Sequence, residues 1–466
     1  MAAMLGVGYY FLRSNASADD YFVGGRNMSA WHIGLSVVAT DVGGGFSIGL
    51  GGLGFLMGLS GSWMLFTGLI GAWLAAVFLI PKVHELGLTG RLLTFPQIFR
   101  SIYGNKVAWA AGLISAIGYL GFTASQMLAG AKLASASFPD ISLNTSLWIM
   151  GVLAVVYTGM GGIKAVIYTD TIQWALLMGG LILIGIPLSL KAVGGWDVVV
   201  ETLPEAYFSF TNLTWQDGVN WLITIVPIWF VGMTLYQRIY ASSSAKEAKK
   251  AWFIAGGFEW PIMAFMGVLL GMFAKVAFQQ NMFAELGFPA GSDIDAEMGL
   301  PLLLRSVLPV GLMGIMMAAY FSAIMSTADS CLMAASGNIM TDLFKKYFPE
   351  NGKNNMLKSQ VVTVVLGFLA LSLASYMTEV LDLMLYSYAF MVSGLLVPLL
   401  VALYGKRPKE TPALISMVIG GFSTLILTRW ADDLPYGLDP IAFGLIASVL
   451  AYWFSTKFLT FKFNSQ

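Results

Sequence analysis

The sequence predicts an all-α integral membrane protein, and three observations predict it. Of the 466 residues, 57% are hydrophobic and 11% charged, with a mean hydropathy of +0.76, the balance of a polytopic helical membrane protein. Apolar runs separated by short polar turns give about twelve segments, each near the ~20 residues that cross a bilayer. The basic residues collect in alternate loops, as the positive-inside rule requires.

Taken in order, the spans fall at 31–58, 61–82, 106–136, 145–160, 166–190, 218–240, 250–279, 309–341, 356–377, 380–404, 411–429 and 439–460. Ala2 to Leu12 is apolar but too short to span; it is a partial first helix or an interfacial stub, and it lacks the basic start and cleavage site of a signal peptide. With the loop after Leu12 placed inside, Lys246, Lys249, Lys250, Lys345, Lys346, Lys406, Arg407 and Lys409 all fall on the inner side. Glu201, Glu205, Asp293, Asp295, Glu297, Asp432 and Asp433 fall on the outer side, and the C-terminus is then cytoplasmic. The whole chain is expected to be a single membrane domain in the cell membrane: 1–12 the partial helix, 31–190 and 218–404 two repeats, and 411–460 two additional helices. A formal net charge of zero identifies no partner. The partners expected are a small-molecule substrate and the lipid bilayer, with no nucleic acid, the chain acting as a monomer.

The first span is interrupted. Ala39-Thr-Asp-Val-Gly-Gly-Gly45 places a carboxylate and three glycines inside an apolar stretch, at about 1 kcal/mol per glycine and about 2.5–3.5 kcal/mol for a mid-membrane charge. Irregular backbone at membrane depth survives only against protein or a water-filled cavity, so the interruption marks a binding site. Five spans later, 218–240 is interrupted by Pro227 and Gly232. Two broken helices at that interval are what a five-plus-five inverted repeat requires, although Pro227 alone is also what a kinked structural helix contains.

The span at 309–341 holds the most polar intramembrane stretch, Ala323-Ile-Met-Ser326-Thr327-Ala-Asp329-Ser330. At 100° per residue Ala323, Ser326, Thr327 and Ser330 share one face, with Asp329 on its flank. Such oxygens suit a hard monovalent cation that must also leave, whereas Ser and Thr alone also back-bond to helix carbonyls or join helices. Asp329 has no Lys or Arg in its span, so it must pair, bind an ion or hold a proton. Asp41, Asp170 and Glu259 are the other acids at membrane depth, and Asp170 also fits a helix N-cap.

These features exclude several classes. Cys331 is the sole cysteine and His32 and His84 the sole histidines, both at membrane edges, which leaves neither a disulfide nor the clustered groups of a membrane enzyme. Gly49-Leu-Gly-Gly-Leu-Gly54 matches the dinucleotide fingerprint formally but lies in a span without a preceding strand, and reads as helix-packing glycine. No phosphate-binding Gly-x-x-x-x-Gly-Lys-Ser/Thr occurs, and no filter motif of a channel.

Over essentially its whole length the chain resembles the sodium/solute symporter family, which includes proline, pantothenate, choline, sugar and sialic acid carriers. Tyr157-Thr-Gly-Met-Gly-Gly-Ile-Lys-Ala-Val-Ile-Tyr-Thr-Asp-Thr-Ile-Gln173 resembles the family signature, supported by Asp20-Tyr-Phe-Val-Gly-Gly-Arg26, Gln237-Arg238 with Ala241-Ser-Ser-Ser, and the Ser326-Thr327 helix. The resemblance implies a five-plus-five inverted-repeat symporter core with broken first and sixth core helices, plus additional C-terminal helices. It implies Na+ as coupling ion, no organic cofactor, and a sodium site from the carbonyls of Ala39, Val42 and Ala323 with the hydroxyls of Ser326 and Thr327. A second cation site would involve Asp170, Ser326, Asp329 and Ser330; members with that site carry serine where Asp329 stands, so either a cation or a proton belongs there. Asp41 matches a carboxylate linked to sodium use in proline carriers.

For the substrate, the resemblance implies contacts from Gly43, Gly44, Trp229, Gly232 and Tyr386. Tyr236-Gln-Arg-Ile-Tyr-Ala-Ser-Ser-Ser and Ala328-Asp-Ser330 look like choline carriers, but a quaternary ammonium needs an aromatic cage. Asp41, Gly232 and a small or aliphatic residue near Leu128 or Ala129 occupy the cage positions instead. Tyr386-Ser-Tyr-Ala-Phe390 resembles proline carriers. Sodium symport of proline or a similar small amino acid is therefore expected, with choline, pantothenate, a sugar or a carboxylate as alternatives, and proton coupling as the rival drive.

Overall fold

The structure is a computed structural model; it describes residues 26–41, 44–138, 140–158, 163–344 and 354–463. The first expected span forms α1 (Ala30–Asp41) and α2 (Gly44–Met57), the second α3 (Trp63–Leu74) and α4 (Ile80–Thr89). A short α5 (Pro96–Tyr103) turns the chain into α6 (Asn105–Ser137), followed by α7 (Leu143–Thr158). The fifth span comprises α8 (Ile163–Gly180) and α9 (Ile186–Ala192), and a surface helix α10 (Trp196–Thr202) follows. The sixth is α11 (Trp215–Val231) with α12 (Met233–Ala241), the seventh α13 (Ala245–Phe258) with α14 (Phe265–Gln279). After α15 (Gly299–Val307) come α16 (Val310–Asn338), α17 (Asn354–Ala374), α18 (Val380–Tyr404), α19 (Glu410–Leu427) and α20 (Pro440–Phe463). Each expected span falls on one of these helices or helix pairs. Among the described residues seven helical stretches are long and apolar enough to cross a membrane, and the α11–α12 pair, bent by 44°, makes an eighth.

Prolines account for most of the irregular turns within spans. Proline lacks an N–H and its ring collides with the carbonyl four residues earlier, and a π turn absorbs the mismatch. Such turns occupy Ala75–Leu79 ahead of Pro81, Leu181–Gly185 ahead of Pro187, and Glu259–Ala264 around Pro261. Pro227 does not behave this way. The expectation that it helps to break the sixth span is corrected, since α11 continues through it to Val231. The break is at Gly232, whose ψ of 114° is extended.

The glycine run Gly49–Gly54 is a packing face. A Cβ on Gly54 would lie 2.2 Å from the Val268 carbonyl oxygen, and one on Gly271 would lie 2.1 Å from that of Gly51, so α2 and α14 touch backbone to backbone. Gly58, at φ +68°, turns the chain out of α2 where a Cβ would meet the Tyr207 carbonyl oxygen at 2.2 Å. The start of α1 is fixed from outside its own sequence: the Ala30 N–H donates to Glu247 Oε2 at 3.0 Å, a carboxylate at a helix N-terminus. Met28 bridges to Ser242 just beyond α12, so the entry to one broken helix is fastened to the exit of the other.

Candidate functional site

α1 ends at Asp41 and α2 begins at Gly44, and the interruption expected from the sequence falls between them, outside the described residues. Val42 and Gly43 lie outside the described residues, as do the side chains of Asp41 and Asp170. The last four carbonyls of a helix have no intrahelical partner, and Ala39 lies two residues before the end of α1 at Asp41. Opposite them stands α16. Thr327 Oγ1 lies 3.2 Å from the Ala39 carbonyl oxygen and 3.2 Å from that of Ala323. A hydroxyl has one proton and can donate to only one of these carbonyls at a time. Three oxygens from two distant segments thus converge, and a cation would let all three act as ligands together.

Ser326, Asp329 and Ser330 continue this polar face and are 6%, 2% and 1% exposed. Ser330 Oγ is buried with no hydrogen-bond partner among the described residues, an oxygen available to a ligand in a place where a wasted one is costly. The donor set, carbonyl and hydroxyl oxygens with the Asp329 carboxyl on the same helix, suits a hard, weakly charged cation and not a soft metal.

Sequence reasoning did not single out the group that holds the two broken helices together. Arg238, on α12, is fully buried. Its Nε donates to Ser36 Oγ at 3.1 Å, Nη1 to the Thr234 carbonyl at 3.1 Å and Nη2 to Thr40 Oγ1 at 2.6 Å. Planar, permanently charged and rich in donors, it fixes α1 one residue from Ala39. The Gln237-Arg238 pair was visible in the sequence only as a family likeness, because no local pattern reports a partner about 200 residues away.

At the second break, Thr234 N–H donates to Tyr119 Oη at 3.1 Å, and the Tyr119 hydroxyl shares a 3.0 Å bond with Thr234 Oγ1. A Cβ on Gly232 would lie 3.3 Å from the same Tyr119 oxygen. Phe122 meets Tyr388 edge-on at 5.1 Å, and Gly121 sits against Ser387. These contacts put the aromatic surface between α6 and α18 on Tyr119, Phe122 and Tyr388. Tyr386 lies two residues, 200°, from Tyr388 and faces another way. Trp229 is likewise elsewhere: its fully buried ring packs on Gly71 and on Trp252 at 6.4 Å, so the expected ring wall is engaged in helix packing.

Comparison with known proteins bears on this geometry. The sodium:solute symporter family model matches residues 21–420. The chain belongs to that family. It is 27% identical over 464 residues to the high-affinity proline transporter PutP of Bacillus subtilis (strain 168), covering 97% of this chain and 95% of that protein. It is 26% identical to the sodium/sialic acid symporter SiaT of Proteus mirabilis (strain HI4320), covering 96% and 91%. Among solved structures it resembles a Na+-coupled sialic acid symporter in a substrate-bound outward-open state, with a TM-score of 0.78 at 24% identity, covering 97% and 94%. The fold class read from the sequence therefore holds: an all-α, multi-pass membrane core with broken first and sixth core helices. Members of this family are transporters and not enzymes.

Proposed function

We propose that this chain is a secondary active transporter that couples Na+ to the uptake of proline or a similar small amino acid. The observation that carries the reading is the convergence of the Ala39 and Ala323 carbonyls on the Thr327 hydroxyl, two residues before α1 ends at Asp41. Val42 and Ser326 complete the ligand set in this reading. Asp41 lends negative charge nearby, and Asp170, Asp329 and Ser330 form a second cation position. The substrate lies between the two breaks, against Gly43, Gly44 and Gly232, with Tyr119, Phe122 and Tyr388 as aromatic walls. Proline is favoured because a proline transporter is among the similar relatives, and because a compact zwitterion fits glycine backbone and ring faces better than a larger solute.

Sodium would tie α1 to α16, hold the break in one geometry and so complete the substrate site. Binding of both ligands then biases the equilibrium between outward- and inward-facing states, and a membrane potential of 100 mV adds about 2.3 kcal/mol per charge moved. Residues 31–190 and 218–404 serve as the two repeats and 411–460 as two further helices. The protein works as a monomer in the cell membrane with its C-terminus in the cytoplasm.

Proteoliposomes holding the purified protein test this directly. Labelled proline, choline, pantothenate, glucose and sialic acid are offered under an inward sodium gradient, and then under a proton gradient alone. Sodium-driven proline uptake is the expected result. Uptake driven only by protons would move the coupling ion to Asp329, and uptake of another solute would replace the substrate while leaving the sodium site intact.

A further inference from the structure

The end of the bundle at which α6 finishes holds a charge cluster that takes no part in the sodium or substrate contacts. Lys132, on α6, has a fully buried side chain, and its ammonium lies 2.5 Å from Asp295, 2.7 Å from Glu297 and 3.4 Å from Glu379. One positive charge meets three negative ones, and the carboxylate oxygens lie within 4.8 Å of one another. Repulsion among the acids therefore offsets part of the attraction. Burial holds the Glu379 carboxyl above its ordinary range, opposed by Lys132 and reinforced by Asp295 and Glu297. Water reaches the edge of the cluster, since the side chains of Asp295 and Glu379 are 29% and 43% exposed.

Glu297 is divided between two elements. It accepts the Val380 N–H at 2.8 Å and the Leu381 N–H at 3.0 Å, donors that the first turn of α18 cannot satisfy itself. Its side chain thus belongs to α18 through two charge-assisted bonds and to α6 only through the Lys132 ammonium. The half-helix α2 rests on the same unit: Cβ atoms on Gly49, Gly51 and Gly52 would lie 3.3, 2.9 and 3.1 Å from Leu381, Leu300 and Glu297. At the other end of α6, Asp342 accepts from Arg100 Nη2 at 3.0 Å and Thr94 Oγ1 at 2.8 Å, and packs on Gly112. Gly112 and Lys132 are about 30 Å apart along the helix. Both ends of α6 are therefore tied by buried charge in the same conformation.

We propose that the Lys132–Glu297 ion pair is a latch that closes this end of the bundle, and that it opens when Glu297, the first turn of α18 and α2 leave α6 together. A polar, over-negative joint with a wet edge can part and re-form in water at little net cost, which an apolar seam cannot. The division of bonds at Glu297 sets the parting plane: the Lys132 contact breaks, and the Val380 and Leu381 contacts persist.

Ser125 tests the latch. It is fully buried, seven residues inward of Lys132 on the same face of α6, and cysteine replaces serine there with little change in size. In a Cys331→Ala background, Ser125→Cys is labelled with a charged methanethiosulfonate in nanodiscs, alone and combined with Lys132→Met or Glu297→Gln. Glu297→Gln keeps an acceptor oxygen for one of the two amides, Val380 or Leu381, so part of the α18 anchor survives even if Lys132→Met is poorly tolerated. Both combinations are expected to label at least about tenfold faster than the parent, while Ser115→Cys, buried nearer the other end, keeps its rate. Labelling of Ser125→Cys as slow as in the parent, or equal acceleration at Ser115→Cys, would overturn the proposal.

Discussion

At the scale of single residues, the proposed sodium site rests on oxygens and donors whose partners are remote in sequence. Thr327 supplies both a hydroxyl and the contact to Ala39, so Thr327→Ala should raise the sodium concentration needed for half-maximal uptake by about tenfold, while Thr327→Ser, which keeps the oxygen, should stay near wild type. Arg238 is a positioning group. Arg238→Met removes three donors and leaves Ser36 and Thr40 facing an apolar stem, so it should lower both melting temperature and transport rate, and Arg238→Lys should rescue the melting temperature more than the rate.

At the scale of elements, glycine decides where helices may touch or break. Gly271→Ala would drive a methyl into the Gly51 backbone at 2.1 Å, and α2 could be displaced only by moving away from α14. A loss of folded yield, or a melting temperature lower by several degrees, is expected in fluorescence size-exclusion assays, whereas Gly179→Ala, with open space around it, should be silent. The sequence made the second break legible, because proline and glycine in an apolar run argue against a continuous helix, while the first break it marks at Val42 and Gly43 lies outside the described residues. It did not reveal which of Pro227 and Gly232 ends α11, since α11 carries Pro227 through to Val231 and only the bend itself tells the two apart. Helix rotation was equally hidden. Tyr386 and Tyr388 lie in one motif, yet packing against Phe122 chooses Tyr388, and packing on Gly71 and Trp252 turns Trp229 away from the breaks. Spans are legible because hydropathy is a local sum. Facing is not, because it is fixed by neighbours hundreds of residues distant.

For the whole molecule, the two broken helices are joined at two levels, by the Met28 to Ser242 bridge and by Arg238 onto Ser36 and Thr40, while Tyr119 ties the second break to α6 at Thr234. Against this unit stands α16 with its oxygen-lined face. A sodium ion bound between Ala39 and Thr327 would connect these two bodies. Equilibrium binding of radioactive sodium to purified protein, wild type against Thr327→Ala, measures that connection without reference to the substrate. Saturable binding by the wild type that weakens about tenfold or more in the variant is the expected result. Binding of equal strength by both proteins would contradict it.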